Sequence, residues 1–211
     1  MKIKEFIKKN IIPIAIILVV GTSIIVATSL AYFTSSTERV LNVFTSGSIK
    51  ISVIEDNFDK DRADTVNPNE TVSKDPYVKN VGQNPVYVFM QVEVPRREVT
   101  LVGDDRVTLE EDFVPIFSYD VNSNWILVDS TVLSESDVYM YAYTGGILNP
   151  NEQSSTLFDE VKIVNFLEGT LDLEEKLQLI IKGFAVQSDN LKIEGTTASE
   201  KVTYIYNNYV K

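Results

Sequence analysis

The chain has 211 residues, 44% of them hydrophobic, with no Cys, no His and a formal charge of −11. The missing Cys excludes a disulfide framework, a thiol nucleophile and thiolate metal ligation; the missing His removes the commonest metal ligand and the side chain best suited to acid–base work near neutrality. The acidic balance disfavours nucleic acid, whose phosphates are bound through Lys and Arg, and suits a solvated surface that resists clumping.

Residues 11–31 form an uncharged run, preceded by Lys2, Lys4, Lys8 and Lys9 and followed by Tyr32-Phe33-Thr34-Ser35-Ser36. A basic start, an apolar middle and a small-residue exit make the pattern of an export signal. Ser29 and Ala31 supply the small side chains a signal peptidase accepts, which places the cut between Ala31 and Tyr32. The run also reaches the about 20 apolar residues of a membrane helix, so an uncleaved anchor is the alternative. Either way the remainder is expected outside the cell or on its surface, with the membrane met only through residues 11–31 before cleavage. Residues 1–31 carry +3 of the total charge, so the remainder stands at −14. That remainder is one domain-sized unit, long enough to bury a core without staples.

Residues 32–47 follow the cut, with Phe33, Val40, Leu41, Val43 and Phe44 as their apolar positions. Ile49, Ile51 and Val53 alternate over 48–54, a half-buried strand pattern. Residues 55–70 are polar, acidic and end in Asn67-Pro68-Asn69, a surface loop. Tyr77–Val81 and Val86–Val94, joined by Gly82-Gln83-Asn84-Pro85, predict a hairpin ended by Pro95. The charged stretch 96–112 reads as loop, with Thr108-Leu109-Glu110-Glu111 fitting a capping box and a short helical turn. Ile116–Asp120 and Trp125–Asp129 predict a second hairpin. Val138–Tyr143, Asp159–Phe166 and Leu177–Gln187 predict further strands, with Gly183 a bulge. Thr197-Ala198-Ser199-Glu200 is a second capping box, and Val202, Ile205, Tyr206 and Tyr209 fall at helical spacing, so a helix over 198–210 closes the domain. An edge strand there is the competing reading, because the residues are β-branched and aromatic. Asn67-Pro68-Asn69-Glu70 recurs as Asn149-Pro150-Asn151-Glu152, two equivalent turns in which Pro fixes φ and Asn tolerates left-handed geometry. Short strands between turns predict an all-β, jelly-roll-like β-sandwich over 48–211 with a few short helices, preceded by the N-terminal apolar signal helix.

Several stretches together resemble the exported TasA/camelysin proteins, which are processed by the dedicated signal peptidase SipW. They are Leu30-Ala31-Tyr32-Phe33-Thr34, Asn42–Gly47, Ile49–Val53, Val66–Pro76, Val78–Gly82, Leu148–Glu152 and Leu157-Phe158. The likeness spans most of the chain in short motifs, of which the N-terminal set is the more specific. It implies a jelly-roll sandwich, a SipW-type peptidase as processing partner, and a place in an extracellular or biofilm matrix as a fibre subunit, assembling with itself or with related exported proteins. In that family the segment after the cut donates a strand to the next subunit, here about Tyr32–Thr45. Backbone hydrogen bonds would give affinity and alternate side chains register. The alternative is that 32–45 forms the first strand of its own domain.

The protease label attached to camelysins does not transfer by residues. A zinc protease needs two His one helical turn apart, and no Asp-Thr-Gly or Asp-Ser-Gly is present for an aspartic protease. The chain is therefore expected not to be an enzyme and to carry no cofactor; a camelysin-like surface protease, the remaining alternative, would need an all-carboxylate metal site. Asp56, Asp59, Asp61 and Asp64 form the weak candidate for Ca²⁺, whose ligands are closely spaced oxygens. Counted as an EF-hand from Asn57, the loop puts Arg62 where Gly is needed and Pro68 where the bidentate Glu should stand, so a solvated acidic loop is the simpler reading. A monomeric surface module binding Ca²⁺ or a glycan, with Trp125 and the tyrosines of 139–143 as platform, is the alternative to a fibre subunit; those rings fit a sandwich core equally well.

Overall fold

The computed structural model describes residues 49–58, 67–103, 105–169 and 177–211. The signal run, the segment 32–47 and the loop centre 59–66 lie outside the described residues. Among these residues the strands are β1 (Ile51–Glu55), β2 (Thr71–Ser73), β3 (Pro76–Asn80), β4 (Val86–Val102), β5 (Thr108–Pro115), β6 (Phe117–Ser118), β7 (Trp125–Val132), β8 (Ser136–Tyr143), β9 (Glu160–Ile163) and β10 (Ile180–Gln187). Helix α1 (Ala198–Ile205) follows and runs on as a π-helical turn over Tyr206–Val210. The pairings are antiparallel: β1 with β3, β2–β9–β6 as a three-stranded sheet, and β10–β4–β8–β7 with β5 added to β4 as a five-stranded sheet. The fold is all-β with one short helix.

Strand β4 is the centre, because its period-two alternation serves two different cores. Val86, Val88, Met90, Val92 and Val94 are at most 1% exposed and face a cluster shared with Ile51, Val78, Phe117, Val161 and Ile163 of the two smaller sheets. The opposite face offers Phe89, which joins Met140 and Ala142 of β8 under Val202, Ile205 and Tyr206 of the C-terminal helix. Helix α1 thus takes the face that the small sheets leave uncovered. Its capping box is formed, with the Glu200 N–H donating to Thr197 Oγ1 (3.2 Å) and the Thr197 N–H to Glu200 Oε2 (3.0 Å). The Thr196 hydroxyl first, then the Thr197 and Thr196 N–H groups, hold the Glu200 carboxyl down at about 2. Tyr206 Oη donates to Asp129 Oδ2 (2.8 Å) and Lys211 Nζ lies 2.9 Å from the same oxygen, which ties the helix to β7.

The two repeated tetrapeptides fold alike. Asn69 and Asn151 have φ of 67° and 71°, and Glu70 and Glu152 each donate their N–H to the carbonyl three residues back (3.2 and 3.0 Å). The glutamates return a carboxylate to the N–H of Asn67 (3.3 Å) and Asn149 (2.8 Å). This is a turn with Pro second and a left-handed Asn third.

Several expectations are corrected. Neither predicted hairpin forms: β3 pairs with β1 while β4 pairs with β10 and β8, and β6 pairs with β9 while β7 pairs with β8. Gly82–Pro85 and the Asn122–Asn124 turn instead carry the chain from one sheet to another. Pro95 does not end β4. It sits where β4 leaves β8 for β5, opposite Ser136, and its carbonyl accepts from the Ile116 N–H (2.9 Å). The predicted loop over 96–112 is strand at 96–102 and 108–112, and Thr108–Glu111 belongs to β5 rather than to a helical turn. The hairpins that do form are β4–β5 and β7–β8. Gly183 is not a bulge, since the β10–β4 register runs unbroken from Ile180 to Gln187. A Cβ there would stand 2.6 Å from Val53 Cγ2 and 3.1 Å from Ile51 Cδ1, so Gly183 lets β1 lie close across β10.

Candidate functional site

The open sheet edges are where this architecture leaves backbone groups to offer. Val86 exchanges both backbone hydrogen bonds with Leu148 (3.0 and 2.9 Å), and the Ser188 N–H donates to Pro85 O (3.0 Å). Bonded and non-bonded residues alternate in an antiparallel pair. Hence Tyr87, Phe89, Gln91 and Glu93 turn their backbone to β10, where Val186, Phe184, Lys182 and Ile180 stand opposite. The intervening Ile181, Gly183, Ala185 and Gln187 turn N–H and C=O outward, and among the described residues no backbone partner meets them. Ile181 and Ala185 meanwhile bury their side chains in the main core, 6% and 3% exposed. The edge is therefore fixed in place with its hydrogen-bonding groups presented.

Strand β1 ends the neighbouring sheet on the same side. The Val81 N–H donates to Lys50 O (2.9 Å), while Asn80 turns its N–H to Glu152 O (2.9 Å) and its C=O to the Asn151 N–H (2.8 Å). By the same alternation Ser52 and Ile54 bond β3, and Ile51 and Val53 face outward. Gly183 lies against the side chains of both. Among the described residues, two edges without a backbone partner, β10 and β1, thus belong to strands that pack against each other.

The remaining edges of the five-stranded sheet are stopped. On β5 the outward Phe113 N–H is taken by Asp112 Oδ1 (2.7 Å), and Phe113 O accepts from the Arg96 guanidinium (2.6 Å). Arg96 is itself held by Asp137 (3.0 Å) and lies over the Phe113 ring, 5.3 Å from its centroid. Glu110, Glu111 and Asp112 add charge to that edge. On β7 the register shifts between Leu127 and Asp129, and Asp129 Oδ1 takes the Ser130 N–H (3.0 Å). Charges and bulges are the ordinary means of blocking an edge. Strand β10 carries neither along its length, and its one charge, Lys182, lies 3.8 Å from Glu93 of β4.

The sequence-derived site residues fall as follows. Ser29, Ala31 and Tyr32 of the proposed cut, Phe33, Val40, Leu41, Val43 and Phe44 of the assembly segment, and Asp59, Asp61 and Asp64 of the Ca²⁺ candidate lie outside the described residues. Asp56 is described, and its Oδ2 accepts from Tyr77 Oη (2.8 Å). Burial first, then Asp56, raises the Tyr77 phenol above its ordinary range. No group of three or more acidic side chains placed to hold a metal occurs among the described residues. Trp125 is 3% exposed and donates Nε1–H to Ser155 O (3.2 Å), and Tyr141 and Tyr143 are buried with it. Those three rings are core, while Tyr139 is half-buried and packs against it.

A polar groove of about 550 Å³ lies along β2, β9 and the residues after β6, lined by Thr71, Ser118, Asp120, Asn122, Glu160 and Lys162 among others. Two of its side chains are tied together, Asn122 Nδ2 donating to Asp159 Oδ2 (3.3 Å) and both bonding the adjoining Thr156 Oγ1 (2.9 and 2.6 Å). Compared with family models, curated proteins and solved structures, the chain finds no match. The β10 edge went unread in the sequence, although its signal was there: IIKGFAVQ has one charge and a glycine near its middle.

Proposed function

We propose that this chain is a secreted or cell-surface structural protein, a non-enzymatic fibre subunit of an extracellular or biofilm matrix that assembles by β-strand addition after cleavage between Ala31 and Tyr32. The reading takes the domain as a jelly-roll sandwich of the TasA/camelysin kind, exported through a SipW-type peptidase. The observation that carries it is the β10 edge beside β1, which meets no backbone partner among the described residues, in a sheet whose β5 and β7 edges carry charge, a bulge and side-chain caps. Residues 32–45 supply the strand, with Phe33, Val40, Leu41, Val43 and Phe44 as the side chains that would set its register. A strand still tethered in the membrane cannot readily reach a neighbour, so processing would switch assembly on.

Electron microscopy and sedimentation of the chain starting at Tyr32, compared with one starting at Ser46, test this. Filaments or concentration-dependent oligomers from the first and monomers from the second are expected. Monomers from both, across pH and concentration, overturn it and leave 32–45 as a strand of its own domain. The polar groove favours one other reading, a monomeric binding module. Calorimetry with Ca²⁺ and with oligosaccharides, before and after replacing Asp59 and Asp61 or Lys162, separates the two, because the fibre reading expects no heat that depends on these residues.

A further inference from the structure

Glu55 closes β1 and Lys74 stands between β2 and β3, and their side chains meet inside the protein. Lys74 Nζ lies 2.8 Å from Glu55 Oε2, with the two side chains only 5% and 7% exposed. The Phe58 ring lies over the amine, 4.4 Å from Nζ to centroid. The second carboxyl oxygen, Glu55 Oε1, is buried and has no hydrogen-bond partner among the described residues. As an ion pair this arrangement is poorly completed: a buried pair repays its lost hydration only when its remaining lone pairs are also bonded, and an orphaned buried acceptor is costly. The adjoining carboxylates are engaged elsewhere, Asp75 by the backbone and side-chain N–H of Asn57 (2.9 and 2.8 Å) and Asp56 by Tyr77. Being acceptors, neither can donate to Glu55 Oε1.

We propose that Glu55 and Lys74 condense to an intramolecular amide. The proton shared along the Nζ–Oε2 contact passes to the carboxyl, the free amine attacks Cδ, the Nζ–Cδ bond forms, and one carboxyl oxygen leaves as water with the protons released from nitrogen. Nothing is oxidised or reduced and no co-reactant is consumed. A neutral amide replaces a buried ion pair, and one of the two buried acceptor oxygens leaves with the water. Holding the two groups in contact supplies the proximity that makes such a condensation effectively unimolecular, and the apolar wall of Phe58 keeps water from the product. In a chain without Cys the bond would close a covalent loop and pin the end of β1 to the start of β3. The inference stands on the Glu55–Lys74 geometry and does not depend on the fibre reading.

Intact-mass spectrometry of the folded protein, followed by fragmentation of its proteolytic peptides, tests the proposal. The expected result is a mass one water below that of the sequence and a branched peptide joining Glu55 to Lys74. The K74R variant keeps the buried cation and the ion pair but cannot condense, so it should fold and show the full mass. Its unfolding midpoint should fall, and unlike the parent it should yield Glu55 and Lys74→Arg peptides unlinked. A full mass for the folded parent protein, or a lost water mapped to any other pair of residues, overturns the inference.

Discussion

Strands β5 and β10 flank β4 on the same side, one beyond the other, yet they treat their outer edges in opposite ways. At β5 the outward N–H and C=O of Phe113 are occupied by Asp112 and Arg96, and three acidic residues follow one another along the strand. At β10 the outward groups of Ile181, Gly183, Ala185 and Gln187 are bare among the described residues, and Lys182 is the one charge along the strand. The difference shows that an edge is closed by what a side chain does to its own backbone as much as by charge. An Asp one residue before an outward N–H is enough, and β7 repeats the device with Asp129 and Ser130. An edge that lacks it in such a sheet is an opening.

That contrast can be broken from either end. The largest effect is expected from Gly183→Val, whose new Cβ meets Val53 Cγ2 and Ile51 Cδ1 at 2.6 and 3.1 Å. Pressing β1 off β10 should cost about 1–3 kcal/mol in denaturant unfolding, as overpacking generally does, and should abolish assembly. Lys182→Asp transplants the β5 device, placing a carboxylate one residue before the outward Gly183 N–H. It should weaken self-association about tenfold, roughly 1.4 kcal/mol, as read by sedimentation. Lys182→Asn tests whether the carboxylate is needed, since it also loses the partly exposed contact to Glu93, worth about 0–1 kcal/mol. Asp112→Ala is the converse. It frees the Phe113 N–H and should cost about 0.5–1.5 kcal/mol in stability, while adding a slow lateral association that the parent lacks.

The smallest effect concerns pH. Lys211 first, and then the Tyr206 hydroxyl, hold the Asp129 carboxyl below its usual range, and burial with Asp129 pushes the Tyr206 phenol up to about 12. A depressed carboxylate adds stability that is present above the unfolded value and is lost as pH falls through the lowered folded value. Helix α1 should therefore keep its tie to β7 from neutrality down to the ordinary carboxylate range and loosen below it. The change should stay under about 1 kcal/mol, because Lys211 is largely exposed, and Asp129→Asn should remove it from a pH series of unfolding midpoints.

The parts of the fold legible in the sequence were those with a local period. The alternation of Val86–Val94 gave β4, and the capping box with helical spacing gave α1. Partner choice was not legible, because Gly-Gln-Asn-Pro serves equally well to close a hairpin or to cross between sheets, and only the burial of both faces of β4 decides. Strand β5 hid for a different reason: most of its residues are exposed, so it carries no apolar period, and its charges imitate a loop. Gly183 was ambiguous in kind, since a bulge and a close approach both call for glycine. The Glu55–Lys74 pair lies 19 positions apart in sequence, beyond any local pattern. Of the assembly segment the sequence supplies the candidate donor, and the described structure supplies the edge it would need.

Amide hydrogen exchange at the β10 edge tests that pairing most directly. In the chain starting at Tyr32, under assembling conditions, the amides of Ile181, Gly183, Ala185 and Gln187 should be protected. In the chain starting at Ser46 the same four should exchange freely, while those of Lys182, Phe184 and Val186 stay protected in both by β4. Free exchange of the four outward amides in both chains, or equal protection in both, would contradict strand addition at β10.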